Sequence, residues 1–552
     1  MIVRRIVVAA VVAGLTVVPA TASADSIPDP AGTPASFPVA GAGFGHAVGM
    51  SQWGAYGMAK EGYDATSIVT HYYSRTTVAP VQDDMDARIN LLYHVGSAKM
   101  RTESLDPAGG AIEVTVGPTV AGGGVSDEFR FSVNGPSVSV QKVSAGVVTD
   151  LGTAPTVTVR WAGTRTPGSA AGGPTLLNVA GPNTSLDSSG HRYRFGYVEV
   201  VPVSTSDGMK LNVVNSVRIH GEYLYGISEV SSSWPAAALQ AQVLAARTYA
   251  MSKVNRGARQ ACSCHMDDGG GPYYDQTFTG WIKASSSKGN LWVDAVNATA
   301  TSANTGLAIL FDGQPISAFY SASSGGATQS SKDVWGGNLA YAVSVADPWA
   351  LNDANPDSSW TVNASQAQMA SVFGIGAVAK VEVTDRFVSG AAKTVTATAP
   401  DGSTATRSGS QFQGALRLKS MFVTSISGNV GAAMPTPAPV PTATGAPVSA
   451  VTVQQRRVSL LTPTTMTPKH NHRYKVVGIV RPAKKGLQAW RQVFVDGAWT
   501  TKQKTRTTAK GRYRFVVPHA GKAGQPKTFR VLVVRKKTVV GVSAEFIVVP
   551  RR

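Results

Sequence analysis

Residues 434–447, MPTPAPVPTATGAP, alternate proline with small side chains, and no packed core can be built across such a stretch. A chain of 552 residues interrupted there folds as at least two bodies, a long one before the spacer and a short one after it. The same boundary divides the charge. From Ser449 onward 23 lysines and arginines face only Asp496 and Glu545, a net of +21, so the +19 of the whole chain belongs to the tail and the remainder is close to neutral. A tail this basic gathers at polyanionic surfaces through an attraction that salt weakens.

At the other end, Arg4 and Arg5 precede an apolar run over residues 6–18, followed by Ala22-Ser23-Ala24. This is the pattern of a secretory signal over residues 1–24, and the run is shorter than the ~20 residues that span a bilayer. Export sets nucleic acid aside as a partner for the tail. The expected order is signal peptide 1–24, a large domain 25–432, a linker 433–448 and a basic all-β domain 449–552.

Strand signals dominate the large domain: residues 111–116, 156–161 and 197–203 alternate apolar and polar between turn-forming clusters. Residues 307–320 read as a hairpin turning at Asp312-Gly313. Two helices are expected, one within residues 50–59 and one over residues 235–254. In the second, Leu239, Val243, Ala246 and Ala250 form one apolar stripe, and Gln240 and Arg247 share a neighbouring face. The tail offers short strands over 474–480, 491–495, 512–517, 528–534 and 544–549, suggesting a small immunoglobulin-like sandwich with its charge outside. The fold class is therefore α+β and β-rich.

Three islands concentrate unusual residues. The first is Gly43-Phe44-Gly45-His46 running through Met50-Ser51-Gln52-Trp53. The second is Tyr223-Leu224-Tyr225-Gly226-Ile227-Ser228-Glu229, leading through Trp234-Pro235 into the helix that carries Arg247. The third joins Asp275-Gln276 through Gly280 to Phe319-Tyr320, Ser323-Ser324-Gly325-Gly326 and Asp333 to Gly336. Together they resemble the stage II sporulation protein D (LytB-type) family, whose members bind and remodel peptidoglycan. The resemblance covers roughly residues 40 to 426. In the sporulation protein the first island lies near the C-terminus, whereas here it opens the mature chain, so the order resembles a circular permutation.

The resemblance implies a lytic transglycosylase in which Glu229 is the catalytic residue. One carboxyl group suffices for that chemistry, because the sugar's own 6-hydroxyl attacks the anomeric carbon while a single residue acts first as acid and then as base. A raised pKa suits the role, and Tyr225, Val230 and Trp234 could supply an apolar surround. The plainer reading of Glu229 is a helix-capping carboxylate. Arg247 corresponds to the family's important arginine and suits a substrate carboxylate, or else a structural ion pair. Gln240 replaces a lysine common in the family. His46, Ser51 and Gln52 are expected in the sugar-binding groove, with a histidine satisfied by backbone as the other reading for His46. Tyr320, Ser324 and Gln276 are expected to border the same groove. A serine hydrolase is disfavoured, since Ser324 lacks the Gly-x-Ser-x-Gly elbow.

No cofactor is required by this chemistry. Some family members hold zinc through Cys and His near this part of the chain, and Cys262, Cys264 and His265 retain those residue types. By spacing alone the two cysteines could equally close a small strained ring or pair between chains. The partners implied are peptidoglycan glycan strands, anionic wall polymers for the basic tail and, because LytB-type relatives enhance an amidase, a cell-wall amidase. Three function classes stay open: a transglycosylase, a noncatalytic glycan-binding enhancer, and a purely structural wall-binding protein.

Overall fold

The alternation read in residues 111–116, 156–161 and 197–203 becomes three neighbouring antiparallel strands, Ile112–Val116, Val157–Trp161 and Tyr197–Thr205. The structure is a computed structural model. It describes residues 33–165, 168–187 and 190–428, and then 457–460, 465–466, 468, 473–481, 483–495, 498–517, 527–535, 538–542 and 546–548. The expected signal peptide and proline-rich linker lie outside the described residues. The chain divides into two units, Met1–Val440 and Pro441–Arg552.

In the first unit those three strands belong to a seven-stranded sheet that continues through Gly208–Arg218 to Asp86–Val95. A six-stranded sheet, with Ser97–Ser104 and Glu128–Asn134 at its centre, shares its core through Phe129, Phe131, Val138 and Val140. The strand Gly208–Arg218 is buried on both faces: Val213 joins the main core, whereas Val214 packs against Cys262 and Cys264. That double covering is why its middle reads as an apolar run broken only by Asn212, Asn215 and Ser216.

The helices pack beside these sheets. Helix α1 (Gln52–Lys60) starts at Ser51, whose side chain caps it, and α2 (Ala65–Tyr72) starts at Asp64 in the same way. Helix α3 (Ala236–Val254) runs as expected, with Pro235 just outside its first turn. Its stripe residues are buried, but so is most of the opposite face, because its many alanines let α1, α2 and α5 (Gly289–Ala298) approach closely. Helix α4 (Trp281–Ser285) is a short turn before α5. The hairpin forms at the expected place, Thr305–Phe311 pairing with Gln314–Pro315, and both Asp312 and Gly313 take the positive φ that its tight turn requires.

A second core lies at the other end of this unit. Ser36–Gly41 pairs with Trp360–Ser365 on one side and with Val423–Ile426 on the other, placing Val39 opposite Ile426. Phe37, Trp360, Phe373 and Phe412 fill this core, together with helices α7 (Gln366–Phe373) and α8 (Gly409–Leu416). The first and last strands described in the unit are therefore neighbours in one sheet. Between these helices and the hairpin lies the short α6 (Ser331–Trp335).

The second unit has two layers. Arg457–Leu460, Tyr474–Arg481 and Arg512–Val517 form one sheet, and a larger sheet contains Gln488–Val495, Ala498–Arg506 and Lys527–Arg535. Val476, Tyr513 and Phe515 meet Ala489, Val493 and Val531 in a single core. Among the described residues Arg512 and Arg514 alternate with buried Tyr513 and Phe515, and Lys502, Lys504 and Arg506 are exposed, whereas Arg491 departs from the expectation and is buried. These layers do not by themselves give an immunoglobulin-like strand order.

Candidate functional site around Glu229

Glu229 sits on a loop held edge to edge against residues 277–279. Ser228 donates its N–H to the Thr277 carbonyl at 2.8 Å, and Thr279 donates to that of Gly226, also at 2.8 Å. The approach needs glycine at position 226, where a Cβ would lie 2.5 Å from the Phe278 ring and 2.8 Å from the Cα of Gly280. This pairing aims the Thr277 N–H at the carboxyl, which accepts it through Oε1 at 2.6 Å.

Two further groups reach the carboxyl from distant parts of the chain. Tyr320–Ser321 pairs in parallel with Met50–Ser51. This joins the first island to the third and brings both the Tyr320 hydroxyl and the Gln52 amide beside Glu229, where each favours the carboxylate. Behind Tyr320, Gln276 is fixed at both ends. Its Oε1 accepts from the Tyr223 hydroxyl at 2.9 Å and its Nε2 donates to the Tyr320 hydroxyl at 2.8 Å. The Tyr320 oxygen therefore accepts from Gln276 and keeps its own proton for another acceptor. On the other side Gln52 donates to Gln242 Oε1 at 3.3 Å.

Burial raises the pKa of Glu229, while the hydrogen bonds from Thr277, Tyr320 and Gln52 oppose the rise. Tyr320 is pushed well above its ordinary range by burial and by the charge of Glu229, so its hydroxyl stays protonated as a donor. An aromatic group borders this side of the molecule: Trp53 and Trp234 lie 4.8 Å apart and Tyr56 is 5.2 Å from each, all half-buried. A half-buried carboxyl whose neutral form is favoured, supplied with a fixed hydroxyl and amide donors, can release and recover a proton.

Several expected site residues are placed elsewhere. Arg247 is 0% exposed and bound to Asp83 at 2.6 Å, Thr299 Oγ1 and the Leu307 carbonyl, while Asp83 also meets His220 at 2.7 Å. The structural ion pair is therefore the correct reading, and no substrate carboxylate can reach the guanidinium. Ser51 and Ser324 belong to a second buried network: Ser324 Oγ donates to Asp347 at 2.7 Å, Tyr72 does so at 2.8 Å, and Ser51 Oγ accepts from the backbone of Gly54 and Ser324. They fasten the first island to the third and do not line a groove. His46 accepts from the Val48 N–H at 2.9 Å through Nδ1 and bonds the Tyr320 backbone, and burial lowers its pKa to about 4. Its ring is held by backbone, yet it is only half-buried and, with Gly45, Asp333 and Lys393, lines a cavity of about 350 Å³.

Gln276, at 1% exposure, acts through Tyr320 and not on a ligand. Gln240 is half-buried and is not among the carboxyl's partners; the glutamine that α3 contributes is Gln242, two residues on. The zinc expectation does not fit. Cys262 and Cys264 are joined in a disulfide, and the Nδ1 of His265 accepts from the Arg88 N–H at 3.0 Å. Sulfurs bonded to each other offer no thiolate to a metal.

Lys283 and Gln242 had no signal in the sequence. Lys283, on α4, donates to the Val230 carbonyl at 2.6 Å with its ammonium 4.8 Å over the Trp292 ring. Burial lowers its pKa to about 8 against the pull of the Glu229 charge.

Residues 207–305 match the family model described as Stage II sporulation protein, SpoIID. The chain carries a SpoIID/LytB-family domain. The matched span contains Glu229, α3, Gln276 and Lys283, whereas Gln52 and Tyr320 reach the carboxyl from outside it. Over 142 residues the chain is 27% identical to a protein of Bacillus subtilis (strain 168) named amidase enhancer, covering 26% of this chain and 16% of that protein. Among solved structures, a tetra-tandem repeat from the extending region of a large adhesion protein is 9% identical with a TM-score of 0.14, covering 86% of this chain and 96% of that one. A Salmonella alpha-2-macroglobulin mutant is 7% identical with a TM-score of 0.16, covering 87% and 33%. Neither informs the fold or the chemistry of the SpoIID/LytB domain.

Proposed function

We propose that the protein is an exported peptidoglycan lytic transglycosylase that cleaves the glycan backbone and leaves 1,6-anhydro-muramic ends. The observation that carries this reading is a single carboxyl group, Glu229, whose protonated form is favoured by burial and which is met by the Tyr320 hydroxyl and the Gln52 amide. In the first half of the reaction Glu229 gives its proton to the glycosidic oxygen as the bond to the anomeric carbon breaks. In the second, the muramic 6-hydroxyl attacks that carbon and its proton returns to Glu229. Tyr320 and Gln52 stabilise the carboxylate that exists between the two steps. Trp53, Tyr56 and Trp234 offer ring faces on which sugars stack. The basic second unit, with Arg512, Arg514, Lys502 and Lys504 outward, holds the enzyme to anionic wall polymers.

Denuded glycan strands incubated with the mature protein, and in parallel with Glu229→Gln, decide the matter by mass spectrometry. Anhydro products from the first and none from the second are expected. The name of the Bacillus relative supports a second reading, a noncatalytic enhancer of a cell-wall amidase. Intact glycan binding without products, together with amidase stimulation that survives in Glu229→Gln, would select that reading instead.

A further inference from the structure

Lys283 is 5% exposed, and no carboxylate among the described residues lies within ion-pair distance of it. An ammonium taken out of water without a paired anion is among the least favourable arrangements a protein interior can hold. What compensates here is specific. The Val230 carbonyl accepts its proton at 2.6 Å, and the Trp292 face lies 4.8 Å away. That ring is itself held by its Nε1 donating to the Leu224 carbonyl at 2.8 Å. Both anchors belong to the segment that carries Glu229, Leu224 five residues before it and Val230 directly after. The charge that favours the ammonium is that of Glu229.

We propose that Lys283 is a positioning residue for Glu229, pinning the Val230 carbonyl to fix the carboxyl's backbone and supplying the fixed positive charge that steadies the carboxylate once its proton has left. The proposal rests on the reading of Glu229 as the proton carrier. Among the described residues the other groups acting on Glu229 are the uncharged Thr277, Tyr320 and Gln52, with neutral Tyr223 behind Tyr320; Asp275 and Asp267 lie beyond Tyr223, and Lys253 and Arg259 are paired with Asp275. Lys283 cannot serve as the acid in place of Glu229, since its bonded and nearly inaccessible ammonium meets no substrate. Its effect is exerted through the neighbouring carboxyl.

The test compares full-length wild type with Lys283→Met, Lys283→Gln and Lys283→Arg. The Glu229 carboxyl is followed by carbon-13 NMR titration, assigned by the signal lost in Glu229→Gln, beside the pH profile of anhydro-product formation. Removal of the charge should move the Glu229 midpoint upward by at least about half a pH unit. It should lower kcat by about tenfold with KM nearly unchanged. Arginine should restore both. Glutamine can still donate to the Val230 carbonyl, so it isolates the charge if methionine prevents folding. An unmoved midpoint in a folded methionine or glutamine variant overturns the proposal. If the wild type forms no anhydro product but the midpoint still moves, the cleavage reading fails and the coupling of Lys283 to Glu229 stands. Product formation with an unmoved midpoint sinks only the role of Lys283.

Discussion

The hydroxyl of Tyr320 is held by Gln276 on one side and lies beside Glu229 on the other, so Tyr320→Phe removes one donor from the carboxylate and leaves the ring in place. The expected result is a higher Glu229 pKa and a loss of about tenfold or more in kcat, read from the pH profile. Arg247 calls for a different measurement. Arg247→Ala leaves Asp83 buried beside His220 alone and should cost about 3–5 kcal/mol in denaturant unfolding, with no specific effect on glycan affinity. For His46 the sign follows from its lowered pKa. Between the ordinary 6.5 and about 4 the unfolded chain takes up a proton that the folded chain refuses, so stability falls as pH falls through that window. His46→Asn should flatten the acid side of a plot of Tm against pH, removing up to about 3 kcal/mol of this dependence. The loop that carries Glu229 stood out in the sequence because it belongs to a long and distinctive motif. The role of Arg247 did not, because an arginine in that motif reads the same whether its partner is a substrate or Asp83, 164 residues away.

At the scale of elements, two capping boxes close the helices of the second core: Ser365 with Gln368, and Ser408 with Gln411. Ser408→Ala should cost about 1 kcal/mol, measurable by thermal unfolding and without effect at Glu229. Helix α3 and the hairpin could be read in advance, since one has an extended apolar period and the other an Asp-Gly turn between apolar runs. Helices α2, α7 and α8 were missed. Each is only eight residues long, and α5, missed as well, has ten, which leaves two to three turns in which a period can show; α2 is also rich in the β-branched residues that otherwise signal strands. Lys283 was hidden for a related reason. Its five-residue helix has no period, and nothing local distinguishes a buried lysine from a solvated one.

For the whole molecule, the two units make separable predictions. Removing residues 441–552 should leave the melting transition of the first unit and cleavage of short soluble glycan in place. It should also abolish salt-sensitive pelleting with cell walls, and equal pelleting by the shortened protein would defeat the anchoring role. The spacer and the charge division were plain from composition, whereas the meeting of the first and third islands is a long-range pairing that no local pattern encodes. The parallel pairing of Met50–Ser51 with Tyr320–Ser321 also sets a chronology. Glu229 is synthesised some ninety residues before Tyr320, and its loop requires Thr277 from a stretch later than its own. A growing chain therefore carries the carboxyl and Gln52 well before it carries Thr277 and Tyr320. The surroundings of the carboxyl are complete only when the chain is long enough to close the ring of contacts around its own start.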